Sequence, residues 1–164
     1  MKLLIIGHAR HGKDTVCDIL KETYGFEFRS SSHYMNEHVI FPILSPIHGY
    51  QTLEECYEDR VNHRRSWYNL IRNHCGVDPA RLARDIISDY DIYCGMRHRE
   101  EFTASRREGL FDYVVWVDAL ERLPAESSDS MGLTRDDADM VIDNNGPLEK
   151  LPVNIAAFIE ELRY

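Results

Sequence analysis

The segment Gly7-His8-Ala9-Arg10-His11-Gly12-Lys13-Asp14-Thr15 has the spacing G-x-x-x-x-G-K, whose chemistry is the capture of a polyphosphate. The glycines let the backbone curl until successive N–H groups converge, a following helix N-terminus adds positive potential, and the lysine bridges the outer phosphates. Such a loop needs a strand before it and a helix after it. Lys2–Ile6 is a short, continuous apolar run, as in a strand buried on both faces of a parallel sheet. Val16, Ile19, Leu20 and Tyr24 recur at helical spacing, and Gly25 stands where a C-terminal cap belongs. All nine loop positions, Gly7 to Thr15, are therefore candidates for binding the phosphates. His8 and His11 read as spacers, not catalysts.

Asp14 stands where a Ser or Thr normally supplies a hydroxyl to magnesium, and Thr15 comes one place later. Three roles are open to Asp14: holding the metal through water, acting on the acceptor's proton, or favouring the helix N-terminus by its charge. Asp118, closing the run YVVWVD, is a weaker metal candidate, since a strand-terminal aspartate also caps turns. No N-K-x-D sequence reads guanine, and the chain is small for a motor ATPase. A small-molecule or nucleotide kinase fits better, and such chemistry needs arginines to neutralise phosphate. Between Arg60 and Arg107 stand ten arginines against six acidic residues, a local +4 in a chain of net charge −9. Arg64 and Arg65 fall near the apolar stripe of their helix, where a guanidinium wants an anion or a wet cleft, and are substrate-binding candidates. Arg97 follows a strand ending at Cys94, at the carboxyl edge where open α/β sheets bind ligands, with Glu100 spaced to orient it.

The remaining elements alternate. Phe26–Phe28 reads as a brief strand. A serine-capped helix follows and is expected to break at Pro42 and Pro46, with a turn at Gly49–Thr52. Leu53–Cys75 reads as one long helix with Tyr57, Val61, Tyr68, Ile71 and Cys75 on a single face, and Asp78-Pro79 opens another. Tyr90–Cys94, Tyr113–Val117 and Met140–Ile142 are apolar strand candidates, a polar helix spans about Arg99 to Arg107, and an amphipathic helix closes the chain behind Pro152. The expectation is an α/β fold with a parallel sheet of about five strands, helices on both faces and a helical insert.

At 164 residues the chain has the length of one domain, and with 43% hydrophobic and 29% charged residues it is too apolar for a disordered chain. The acidic balance argues against a partner held by bulk charge, such as duplex DNA or an anionic membrane. No stretch has the roughly 20 apolar residues of a membrane span, so the expected location is cytoplasmic. Cys17, Cys56, Cys75 and Cys94 form no C-x-x-C pair and the eight histidines no ligand spacing, so buried free thiols are expected and no structural metal.

GHARHGKDT at the start, GMRHREEF after the third strand and DADMVIDNNGPLEKL near the end occur in the order found in one family. Through these motifs the chain resembles the bacteriophage deoxynucleoside monophosphate kinases, P-loop nucleotide kinases related to dephospho-coenzyme A and phosphomevalonate kinases. The resemblance implies a three-layer P-loop kinase fold over 1–164, with ATP as donor and Mg2+ as its metal. It implies an acceptor-binding insert at about 30–88 and a short lid at about 121–139. Gly7, Gly12, Lys13, Asp14 and Thr15 would hold the donor phosphates, with Lys13, Asp14, Arg97 and Arg122 as catalytic candidates. Arg97 would meet the acceptor, Arg122 would act near the lid, and Asn144, Asn145 and Gly146 would border the adenine.

Two features depart from the pattern: Gly95 stands where relatives often have an aspartate, and Leu123–Ile142 carries five acids but only Arg135. A rival acceptor is therefore 5-hydroxymethyluracil already in phage DNA, the base being stacked by Tyr57, Trp67 or Tyr68. A third reading is a nucleotide-binding module without turnover, against which the intact Lys13 stands. The expected partner is thus a nucleotide acceptor, free or in DNA, with no membrane, the chain acting as monomer or homodimer.

Overall fold

Leu3, Leu4, Ile5 and Ile6 are all fully buried and form β1 (Leu3–Ile6), the middle strand of the sheet. In the computed structural model, which describes residues 1–163, the other strands are β2 (Phe28–Ser30), β3 (Ile92–Cys94), β4 (Tyr113–Asp118) and β5 (Met140–Asp143). Tyr164, the last residue of the expected domain, lies outside the described residues. The strand order is β2-β3-β1-β4-β5 with every pairing parallel, the α/β architecture expected from the sequence.

Side chains alternate between the two faces of the pleat. Leu3, Ile5, Ile92, Cys94, Val115 and Val117 pack under α1 (Lys13–Tyr24) and α8 (Leu151–Leu162). Leu4, Ile6, Tyr93, Val114 and Trp116 face the helical insert and α7 (Arg99–Arg107). Burying such side chains stabilises the fold by roughly 1.5–3 kcal/mol each, before chain entropy is subtracted. No helix among the described residues is long and apolar enough to cross a membrane.

The insert differs from its sequence reading in three places. Its first helical stretch does not break at the prolines. α2 (Ser31–Met35), capped by Ser30, passes through a π turn at Asn36–Ile40 into α3 (Phe41–His48), which contains both Pro42 and Pro46. Pro42 falls in the first turn of α3, where a missing N–H costs nothing. The expected long helix is two: α4 (Leu53–Glu58), held by a Thr52–Glu55 capping box, and α5 (Arg64–Cys75), separated by a 3-10 turn and by His63 at φ −131°. Asp78 caps a turn at Ala80 instead of the helix itself, so α6 begins later, at Arg81–Asp89. β2 likewise lies two residues beyond its expected position.

Candidate functional site

The loop 7–12 leaves β1 and enters α1 with three consecutive demands on its backbone. Gly7 has φ +151°, and a Cβ there would stand 2.6 Å from the Val117 carbonyl oxygen. Arg10 takes φ +64° without being glycine. Gly12, at φ +96°, caps α1 against the Asn144 amide, so a side chain at either glycine would collide as well as strain. The α1 N-terminus has no side-chain cap, which leaves its N–H groups for an anion.

His8 and His11 are braces, not spacers. His11 is completely buried, accepts a hydrogen bond from the Ala119 amide through Nδ1 (3.2 Å), and can then donate from Nε2 to the Pro124 carbonyl (3.2 Å). His8 Nδ1 accepts from the Glu126 amide (3.1 Å), and its ring meets the Trp116 ring edge-on at 5.2 Å. Burial lowers the His8 pKa, with His11, Lys13 and Arg97 adding to the effect and Glu126 opposing it. Asn144 completes the brace: it is buried and donates from Nδ2 to the His11 carbonyl (2.9 Å). It thus supports the loop from below. Asn145 bonds Asp143 and Asp118, and Gly146 lies against the Lys150 side chain.

An anion already stands in the cradle. The Glu126 carboxylate, from the segment between β4 and β5, accepts from the Ala9 amide through Oε2 (2.6 Å) and from Arg97 Nη1 through Oε1 (2.6 Å). Burial alone would raise its pKa, but these bonds prevail and hold it below the usual carboxylate value. Lys13 Nζ meanwhile donates to the His8 carbonyl (2.8 Å). Burial lowers its pKa, and Arg97 contributes in the same direction. Arg97 is therefore paired with Glu126, and the expected partner Glu100 is exposed at the cavity rim instead.

Asp14 and Thr15 are exposed at the start of α1, and the Cys94 thiol lies 3.7 Å from Asp14 Oδ1. Asp118 behaves as a cap: it accepts from the Leu120 amide (3.3 Å) and from Asn145 Nδ2 (3.3 Å). Among the described residues no three His, Cys, Asp or Glu side chains gather as a metal cage. Exposed oxygen donors beside the loop expected to hold phosphates nonetheless fit Mg2+, which keeps several waters and binds through one or two side chains plus substrate phosphates. Arg122 donates from Nε to the Asn144 carbonyl (2.7 Å), which ties the lid's start to the same brace.

Beside the loop opens a cavity of about 440 Å3, lined by Gly95 and Arg97 and by residues of α5, α7 and β3. A Cβ on Gly95 would stand 4.0 Å from Lys13 Cε, so cavity and loop adjoin. Arg64 and Arg65 are exposed and do not line it: they stand in the first turn of α5, and the residues of that helix that reach the cavity begin at Tyr68. Arg72, two turns further along α5, lines it instead, donating to Tyr68 Oη (2.8 Å) and meeting no carboxylate among the described residues. Trp67 is core, Tyr57 stacks on His33, and of the three candidate aromatics Tyr68 alone reaches the cavity. Cys75 also lines the cavity, half-buried, whereas the other three thiols are buried.

Tyr93, Glu101, Arg72 and Glu126 were not among the sequence candidates. Arg72 had a signal as one of the ten arginines between Arg60 and Arg107, and Glu126 as one of the five acids between Leu123 and Ile142. Two of the other acids, Asp137 and Asp139, pair with Arg99 and Arg106 of α7 and pin the segment before β5 to that helix. The arginine-rich window is in large part spent in this way, since Arg81, Arg84, Arg97, Arg99 and Arg106 all meet carboxylates.

No family model and no curated protein matches the chain. Among solved structures, its fold is similar to that of shikimate kinase from Aquifex aeolicus vf5, with a TM-score of 0.54 at 14% identity over 99% of this chain and 98% of that one. Shikimate kinase from Bacteroides thetaiotaomicron gives 0.54 at 10% identity over 100% and 99%. A gluconokinase from Sinorhizobium meliloti 1021 gives 0.50 at 13% identity over 99% and 95%. The chain thus has the fold of these kinases along its whole length.

Proposed function

We propose that this chain is an ATP-dependent kinase transferring the γ-phosphate to a small acceptor held in the cavity beside the loop, and that the acceptor is a deoxynucleoside monophosphate. The observation that carries the reading is the Glu126 carboxylate seated on the Ala9 amide and Arg97. An anion binds where the sequence pattern calls for phosphate, at the mouth of a cavity of suitable size. The structural likeness to kinases supports the same class, and the motifs shared with the phage deoxynucleoside monophosphate kinases support the acceptor.

The residues divide the work. The loop amides and the α1 N-terminus bind the donor phosphates, Lys13 leaves the His8 carbonyl for them, and Arg97 exchanges Glu126 for phosphate oxygens. Bound with the triphosphate, Mg2+ supplies charge neutralisation, and Asp14 and Thr15 are the residues placed to hold its water shell. Phosphoryl transfer is chiefly positioning and electrostatics, so a cradle adjoining a cavity is the required arrangement. An acceptor base in DNA is less supported, because Trp67 and Tyr57 are taken up by internal packing.

The test offers γ-labelled ATP together with mixed deoxynucleoside monophosphates and with 5-hydroxymethyluracil DNA. Label in the monophosphates supports the reading, label in DNA replaces the acceptor, and ATP binding without transfer leaves a binding module.

A further inference from the structure

Tyr93 lies on β3, two residues before Gly95 and on the same face, so it stands about 7 Å down the strand from the edge where phosphate transfers. It is 1% exposed, and its hydroxyl donates to Glu101 Oε1 at 2.8 Å. Glu101 projects from α7 into the cavity. Its other oxygen takes no hydrogen bond and the carboxyl meets no cation among the described residues. Within the protein the carboxyl has one neutral donor, short of the charged partner or several donors that a carboxylate taken out of water requires. Its free oxygen is not sealed from solvent, and the cavity that Glu101 lines gives a donor access to it.

We infer that Glu101 determines acceptor specificity by accepting a hydrogen bond from an uncharged N–H or O–H group on the non-reacting part of the acceptor, with Tyr93 holding the carboxyl in place. This rests on the kinase reading and adds to it the chemistry the acceptor must present. The carboxyl is held by Tyr93, about 7 Å down the strand from Gly95, so its effect is assigned to acceptor binding. Arg72 faces the same space and suits a carbonyl or phosphate oxygen of the same molecule.

Burial raises the Glu101 pKa to about 7, and the Tyr93 bond restrains the rise. The titratable and charged groups sharing the cavity with it are Tyr93 from β3, Arg72 and Cys75 from α5, and Arg97, His98 and Glu100 beside it in sequence. As pH rises through neutrality Glu101 ionises and becomes the stronger hydrogen-bond acceptor. Acceptor KM should then fall.

The experiment takes the deoxynucleoside monophosphate that receives label and compares it with two analogues, one methylated at the base N–H and one lacking the sugar 3′-hydroxyl. Kinetics are run from pH 6 to 8 on wild type, Glu101→Gln and Tyr93→Phe. Wild type should disfavour one analogue by about tenfold or more in KM, and which one identifies the donor as base or sugar. Glu101→Gln, which keeps the shape, should lose that discrimination and the part of the pH dependence that wild type adds to the acceptor's own ionisation. Its KM for ATP should change less than its KM for the acceptor. In Tyr93→Phe the inflection should move to higher pH, because the restraining bond is gone. If Glu101→Gln matches wild type in both discrimination and pH profile, the inference is overturned while the kinase reading stands. If no monophosphate accepts label although ATP binds, the acceptor reading falls and this inference with it.

Discussion

The Glu126 carboxylate lies 2.6 Å from the Ala9 amide, inside the loop that carries the G-x-x-x-x-G-K pattern. Under the proposed function, a side chain of the segment between β4 and β5 thereby holds the place of a phosphate oxygen. The triphosphate has to displace it, and Glu126→Gln removes the competing charge while keeping the shape. ATP should bind about tenfold more tightly to this variant, the difference expected of one charge-assisted hydrogen bond. Calorimetric titration measures it. Equal or weaker binding would mean that the carboxylate does not compete.

Lys13 is half-buried and bonded to the His8 carbonyl, so its removal touches stability as well as chemistry. Lys13→Ala should cost about 1 kcal/mol in folding, the worth of an ordinary hydrogen bond. Phosphoryl transfer should fall by roughly a hundredfold or more. Thermal melts and single-turnover rates compare the two, and equal losses would remove Lys13 from the chemistry.

Arg97 connects lid, loop and cavity. Arg97→Ala should raise acceptor KM or lower kcat, and should move ATP affinity less than Glu126→Gln does. The double variant Arg97→Ala/Glu126→Ala should be strongly non-additive, as expected for groups in direct contact. Additive effects would place the two in separate roles.

Glu101 also links stability to pH. Its folded pKa, about 7, stands above its ordinary value of 4.5, so below that ordinary value both folded and unfolded forms are protonated and nothing is lost. Between the two values the unfolded chain gives up its proton while the folded one retains it. The fold is progressively weakened until both are ionised. Glu101→Gln should therefore leave the melting temperature unchanged near pH 4 and raise it at pH 8, by an upper limit of about 3 kcal/mol in stability. A variant no more stable at pH 8 than wild type contradicts the burial of an unmatched carboxyl.

The sheet was legible because a strand buried on both faces leaves an unbroken apolar run, as in LLII and YVVWV, and because the glycine spacing fixes the loop between β1 and α1. The insert was less legible. Pro42 and Pro46 signal a helix end in any local reading, yet α3 contains both, Pro42 in its first turn and Pro46 further inside. The unbroken Leu53–Cys75 periodicity hid the irregular backbone at His63, and the arginine that reaches the cavity is Arg72, about two turns beyond Arg65 on the same face of α5. Glu101 and Tyr93 meet across eight residues and two elements, a pairing that no spacing rule marks.

The most direct measurement is a crystal structure with a non-hydrolysable ATP analogue. The account predicts phosphates along the amides of residues 8–13, Lys13 Nζ moved from the His8 carbonyl onto their oxygens, and Glu126 withdrawn from Ala9. Phosphates bound elsewhere, with Glu126 still seated on the Ala9 amide, would contradict it.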